Sequence, residues 1–148
     1  MHVAHGVHAS AADRKRLRDK ASAVALCTRS NQVLQAGQAP VRRYREEGNP
    51  VAVGTDSLAS SPSLDLLEEL RALRRLAVDQ GTEQAGLDEW LVRAATAGGA
   101  AAVGIDAGTI APGARADLVV VDSDEHADPY AAIVHGRATA TYLGGTQQ

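Results

Sequence analysis

Three short apolar runs punctuate the first third of the chain: His2-Val-Ala4, Ala23-Val-Ala-Leu26 and Val51-Ala-Val53. None is long enough for a helix, and each reads as a strand of a sheet covered on both faces, where apolar positions are continuous rather than alternating. The stretches between them carry helix signals. Ser10 can cap a helix over Ala11 to Lys20, with Asp13 placed to bond back to the cap. Gly37 marks a loop, Pro40 suits the first turn of a helix running to Glu47, and Gly48 suits its C-terminal cap. Strand, helix, strand, helix, strand predicts parallel strands joined by crossovers, an α/β architecture.

The pattern then lengthens. After Ser63, the residues Leu66, Leu70, Leu73 and Ala77 form one apolar stripe, while Glu68, Glu69, Arg71, Arg74 and Arg75 fill the remaining faces of a helix. Gln80 to Gly86 reads as a loop. Leu87 to Ala97 reads as a helix carrying the single tryptophan, Trp90; it weakens at Gly98-Gly99 and gives way to a short Ala-rich helix over Ala100 to Val103. From Gly108 the character changes. Gly108-Thr-Ile-Ala-Pro-Gly113 is turn-rich, Ala116 to Asp122 is a strand, Asp128-Pro129 opens a turn, and Ala138 to Leu143 is a final alternating strand. The division expected is residues 1–107 as one unit and 108–148 as part of a separate small β unit.

Composition narrows the classes of function. The chain has 148 residues, enough for one globular unit, and with no Phe and 3% aromatics its core must be built from Ala, Val, Leu and Ile. A formal net charge of -3 argues against a nucleic-acid partner. The basic cluster Arg14-Lys-Arg-Leu-Arg18 has acidic neighbours and reads as a solvated helix face. One cysteine, Cys27, excludes an intrachain disulfide framework and reads as a small core residue. There is no signal-peptide pattern and no run of 18 apolar residues, so no membrane partner and a cytoplasmic location are expected.

Two side chains stand out chemically. Gly54-Thr-Asp-Ser57 follows the third apolar run, so Asp56 sits at a strand tip with Gly54 allowing close approach. The first run delivers His5 in the same way. Each residue has a bland alternative: a strand-tip histidine as a structural group, and a loop aspartate that caps a turn. His2, His5 and His8 do not make a metal triplet, because strand residues three apart point to opposite faces. Ser57 and Ser60 lack a Gly-x-Ser-x-Gly context and read as loop hydrogen-bonders. Arg29, Ser30 and Asn31 either line a catalytic rim or satisfy loop backbone, and Asp117 is structural.

The ordered set of Ala4-His-Gly-Val-His8, Cys27-Thr-Arg-Ser-Asn31, Gly37-Gln-Ala-Pro40, Gly54-Thr-Asp-Ser57 with Ser63-Leu-Asp65, and Gly108 to Gly113 running into Ala116 to Asp122 resembles the C-terminal part of a metal-dependent amidohydrolase. The branch is that of chlorohydrolases and of cytosine, guanine and aminofutalosine deaminases. The resemblance implies a partial (β/α)₈ barrel, its last three strands and helices, with active-site groups at the strand C-termini. It implies that residues 108–148 form the C-terminal part of a small β-sandwich.

By the same resemblance His5 and Asp56 are catalytic, and Asp56 is also a ligand of a divalent metal, zinc or iron, in the complete enzyme. The His-x-His pair and the later strand-tip histidine of the branch are absent from this chain. It is therefore expected to bind no metal alone and to be inactive alone. The implied chemistry is hydrolysis of a C–N bond in a small-molecule substrate, the deamination of an aromatic amine. A complementing N-terminal half or a second copy would be the partner. The alternative function is non-catalytic, a remnant or an interaction module that pairs through exposed strand edges.

Overall fold

The computed structural model describes residues 1–124 and 128–148. Strands β1 (His2–Ala4), β2 (Ala23–Leu26) and β3 (Val51–Val53) form a parallel sheet in sequence order. Its register pairs Val3 with Val24 and Val24 with Val51. The burial of the strands follows their position: β3 is buried throughout, the central β2 nearly so, and β1 lies exposed along one edge.

Helix α1 (Ala11–Asp19) links β1 to β2 and starts on a reciprocal cap between Ser10 and Asp13. The basic cluster on α1 is only partly solvated. Arg14 is buried, and its guanidinium grips Glu47 at 2.8 Å while Asn49 donates to its backbone carbonyl. Helices α2 (Thr28–Val33) and α3 (Val41–Glu46) link β2 to β3. Helix α2 occupies a stretch whose sequence reads as loop.

Helix α4 (Leu66–Asp79) is capped by Asp65, whose carboxylate accepts from the Leu67 and Glu68 amides at 2.8 and 3.4 Å. Its stripe of Leu70, Leu73 and Ala77 packs with Val24, Leu26, Val51 and Val53 of the sheet and with Leu87 and Leu91 of α5 (Leu87–Arg93) to make the core. Burial of each such leucine side chain contributes on the order of 2 kcal/mol. The stripe holds, but Glu69, expected on an outer face, is fully buried. After α5 the chain widens into a π turn over Ala94–Gly98 and continues as α6 (Gly99–Val103). Gly98 is required there, since a Cβ would lie 2.3 Å from the Val51 carbonyl oxygen of β3.

A second, antiparallel sheet is built from β4 (Leu118–Asp122), β5 (Arg137–Leu143) and β6 (Thr146–Gln147). Asp117 joins it by accepting from the Gly144 amide at 2.8 Å, a structural role. Asp128-Pro129 does not open a simple turn: it starts α7 (Pro129–His135), with the Asp128 carboxylate accepting from the Tyr130 amide at 2.9 Å. Proline at the first helical position loses no hydrogen bond, which is why a turn signal becomes a helix start. Helix α7 packs on α4 and α5 and buries Val134, and Arg71 of α4 donates to the carbonyls of Val134 and Gly136. Among the described residues no helix is long and apolar enough to cross a membrane.

Candidate active site

Parallel strands place their C-terminal ends on one edge of the sheet. His5 follows β1 and Asp56 follows β3, and the two converge across the tip of β2, with His5 Nε2 3.8 Å from Asp56 Oδ2. Both residues have left-handed backbones, φ 64° for His5 and 62° for Asp56. Histidine and aspartate tolerate that region better than most residues, and such outliers gather at functional sites. The turn after His5 is held from below. Tyr44, fully buried, donates its hydroxyl to the Gly6 carbonyl at 2.7 Å, and a Cβ on Gly6 would lie 2.4 Å from that hydroxyl oxygen.

Helix α2 lies between the two side chains and contacts both. Ser30 Oγ donates to Asp56 Oδ2 at 2.8 Å, and Ser60 Oγ donates to the same oxygen at 3.0 Å. These hydroxyls, with the Ser57 amide, hold the Asp56 carboxyl below the usual carboxylate range, and His5 adds a smaller electrostatic contribution. On the other side Asn31 Oδ1 lies 2.9 Å from His5 Nδ1. With the amide oriented this way Nδ1 donates to Asn31 and Nε2 faces Asp56, an assignment that rests on the hydrogen-bond geometry.

His5 and Asp56, the two residues singled out by the sequence, thus meet in space. Ser30 and Asn31, open in the sequence between rim and loop roles, contact that pair, and the only sequence signal for it is their place just beyond a strand tip. Ser60 is a hydrogen-bonder, as its context suggests, and its partner is Asp56 itself. Cys27 is buried as expected, and burial, then the charges of Glu69 and Asp56, push its thiol up to about 11. His2 Nδ1 is 3.1 Å from the Ala102 carbonyl, and His8 lines an open apolar groove of about 700 Å³ beside β1 that His5 and Asn31 also line, with Val3, Leu17 and Leu34.

As a metal site the arrangement is incomplete. Among the described residues no group of three His, Cys, Asp or Glu side chains could hold a metal ion. His5 and Asp56 offer two donors, and catalytic zinc takes at least three from protein.

The sequence pattern of the Amidohydrolase family matches residues 1–146. The chain belongs to the amidohydrolase family. Among its relatives is a 5-methylthioadenosine/S-adenosylhomocysteine deaminase of Halobacterium salinarum, 42% identical over 147 residues, which are 99% of this chain and 33% of that protein. Among solved structures, an adenosine deaminase from Xanthomonas campestris with bound zinc superposes with a TM-score of 0.91 at 26% identity, over 99% of this chain and 36% of that one. The Helicobacter pylori aminofutalosine deaminase in complex with methylthio-coformycin gives 0.83 at 31% identity, over 99% and 37%. This amidohydrolase chain spans about a third of the length of the curated relatives it matches. Its α/β fold is that of amidohydrolase structures, and its relatives are named as deaminases.

Proposed function

We propose that this chain contributes one part of a deaminase active site, in which His5 and Asp56 work on water and an aromatic amine. The observation that carries the proposal is the convergence of His5 and Asp56 at the C-terminal ends of parallel strands, with Asp56 held ionised by Ser30 and Ser60. In this reading β1 to β3 are the last three strands of a (β/α)₈ barrel, residues 1–107 belong to it, and residues 108–148 are the C-terminal share of a β-sandwich. The exposed β1 edge is where the preceding strand would pair. A cytoplasmic location accompanies the reading.

The substrate class is taken from the relatives: an adenosine-type nucleoside whose ring amine is replaced by oxygen. Water adds to the carbon bearing the amine, and the bond to nitrogen breaks to release ammonia. Asp56, ionised at neutral pH, accepts the proton of the attacking water and returns it to the departing nitrogen. His5, with Nε2 facing that carboxylate, orients the water or polarises the ring. A divalent metal, when bound, supplies an activated water. Asp56 is the one ligand this chain would bring, and with one ligand the chain does not hold the metal alone.

Mixing the 148-residue chain with a polypeptide carrying the N-terminal two thirds of the Halobacterium relative tests the proposal. Zinc uptake and ammonia release from 5-methylthioadenosine are expected with the native chain, and their loss in Asp56→Ala and His5→Ala. Zinc affinity that never rises above that of the Asp56→Ala mixture overturns it.

A further inference from the structure

Glu69 is a carboxylate with no exposed surface, on the first turn of α4, and the chemistry proposed above makes no use of it. Burying a carboxylate is costly unless it is fully hydrogen-bonded, and Oε2 of Glu69 has no hydrogen-bond partner. Its Oε1 accepts from the Arg29 amide at 3.2 Å, and the Thr28 amide and hydroxyl lie beside the same carboxylate. Thr28 and Arg29 are the first two residues of α2, whose own cap residue, Cys27, makes no side-chain capping bond. The next two residues of that helix are Ser30 and Asn31, the partners of Asp56 and His5.

Helix α2 buries Thr28, Ser30 and Asn31, all polar, so hydrogen bonds rather than apolar packing set its rotation. Its six residues, Thr-Arg-Ser-Asn-Gln-Val, present no apolar stripe, and three of them favour caps and turns over helix interiors. Arg29 adds a side-chain tether, largely buried, pairing with Glu68 at 2.7 Å and donating to Ser63 at 3.1 Å, but these bonds leave its backbone amide to Glu69. A carboxylate fixed in the core by α4 holds that amide.

We infer that Glu69 is a positioning residue: by holding the Thr28 and Arg29 amides it sets α2 so that Ser30 reaches Asp56 and Asn31 reaches His5. The catalytic meaning of this role rests on the proposed function, whereas the geometric chain from Glu69 to His5 does not. A one-methylene retraction of the carboxylate would release the α2 amides, while an amide of the same length keeps an oxygen in place.

The test uses the full chain labelled with ¹⁵N, and the variants Glu69→Gln and Glu69→Asp. Ring ¹⁵N shifts of His5 read which nitrogen carries the proton, and hydrogen exchange reads the Thr28 and Arg29 amides. The native chain and Glu69→Gln are expected to show a single Nδ1-protonated His5 ring. Glu69→Asp is expected to show mixed tautomers and an approximately tenfold loss of protection at the two amides, with the Trp90 indole signal unchanged. A folded Glu69→Asp that keeps the native His5 ring signals overturns the inference. So does a folded Glu69→Gln that loses them. Should Glu69→Asp fail to fold, the native chain still decides: Thr28 and Arg29 amides that exchange at loop rates, rather than at rates like that of Val24 in the core, overturn it. A chain that passes these tests yet takes up no zinc with its complement would retire the proposed function and leave the role of Glu69 standing.

Discussion

Ser30 Oγ donates to Asp56 Oδ2 over 2.8 Å, from a side chain with no exposed surface. A buried donor aimed at a partly exposed carboxylate stabilises the ionised form and leaves the neutral form with a poorer partner, which is why Ser30 is the largest of the influences that lower the Asp56 pKa. The strand tip therefore presents an ionised carboxylate.

Ser30→Ala should raise the titration midpoint of Asp56 toward the ordinary aspartate value. A folded pKa below the unfolded one gives stability that is present above the unfolded value, near 3.9 by the roughly constant peptide reference, and is lost as pH falls through the folded value. Removing Ser30 shrinks that acid-side loss. Carboxyl ¹³C shifts tracked from neutral to strongly acid pH check this, and coincident Asp56 midpoints in the two proteins would reject it.

Tyr44→Phe removes the hydroxyl that donates to the Gly6 carbonyl at 2.7 Å and leaves the ring in the core. The lost bond is worth about 1 kcal/mol, a fall of about 3 °C in Tm. Gly6→Ala should cost more, because its Cβ meets both the Tyr44 hydroxyl and Val24 Cγ1 at a backbone φ of 59°. Thermal melts of both variants rank the two effects, and a smaller loss for Gly6→Ala would contradict this packing.

Cys27 should be a slow nucleophile. With its thiol pushed up to about 11, only roughly one molecule in a thousand carries thiolate at pH 8, before the barrier of burial is counted. Alkylation of the native chain is expected to run roughly two orders of magnitude slower than that of the urea-unfolded chain. Equal rates would place the thiol outside the core.

The sequence made some of this legible and hid the rest for physical reasons. The strands and the tips bearing His5 and Asp56 are announced by short apolar runs ended by glycine-containing turns, a local signal. The α4 stripe is equally local. Helix α2 is not: Thr28, Ser30 and Asn31 carry turn propensity, and the bond to its first turn comes from Glu69, forty residues away. Glu69 itself sits among surface-type neighbours, Glu68 and Arg71, so its burial is set by what α2 presents to it. The pairing of Arg14 with Glu47 is of the same kind, joining helices α1 and α3 that only the fold brings together. Asp128-Pro129 shows a different limit, since the same dipeptide starts a turn or a helix according to whether the next residues can pack. Here they can, because Val134 buries against α4 and α5.

The last expectation concerns the pH dependence of Glu69. Desolvation pushes its pKa up, and the neighbouring Arg29 and Thr28 amides oppose that without cancelling it. A carboxyl whose folded pKa is raised contributes stability that is fully present below its unfolded value, about 4.3, and is lost as pH rises through the folded value. At neutral pH the native chain has therefore lost part or all of that contribution. Glu69→Gln keeps the oxygen that faces α2 and removes the charge, so it should stabilise the chain at pH 7.5 and do so less at pH 4. Urea midpoints of both proteins at the two pH values measure the difference. A gain that is larger at pH 4 would mean that the α2 amides outweigh burial and that the carboxylate, rather than the acid, is the form the fold prefers.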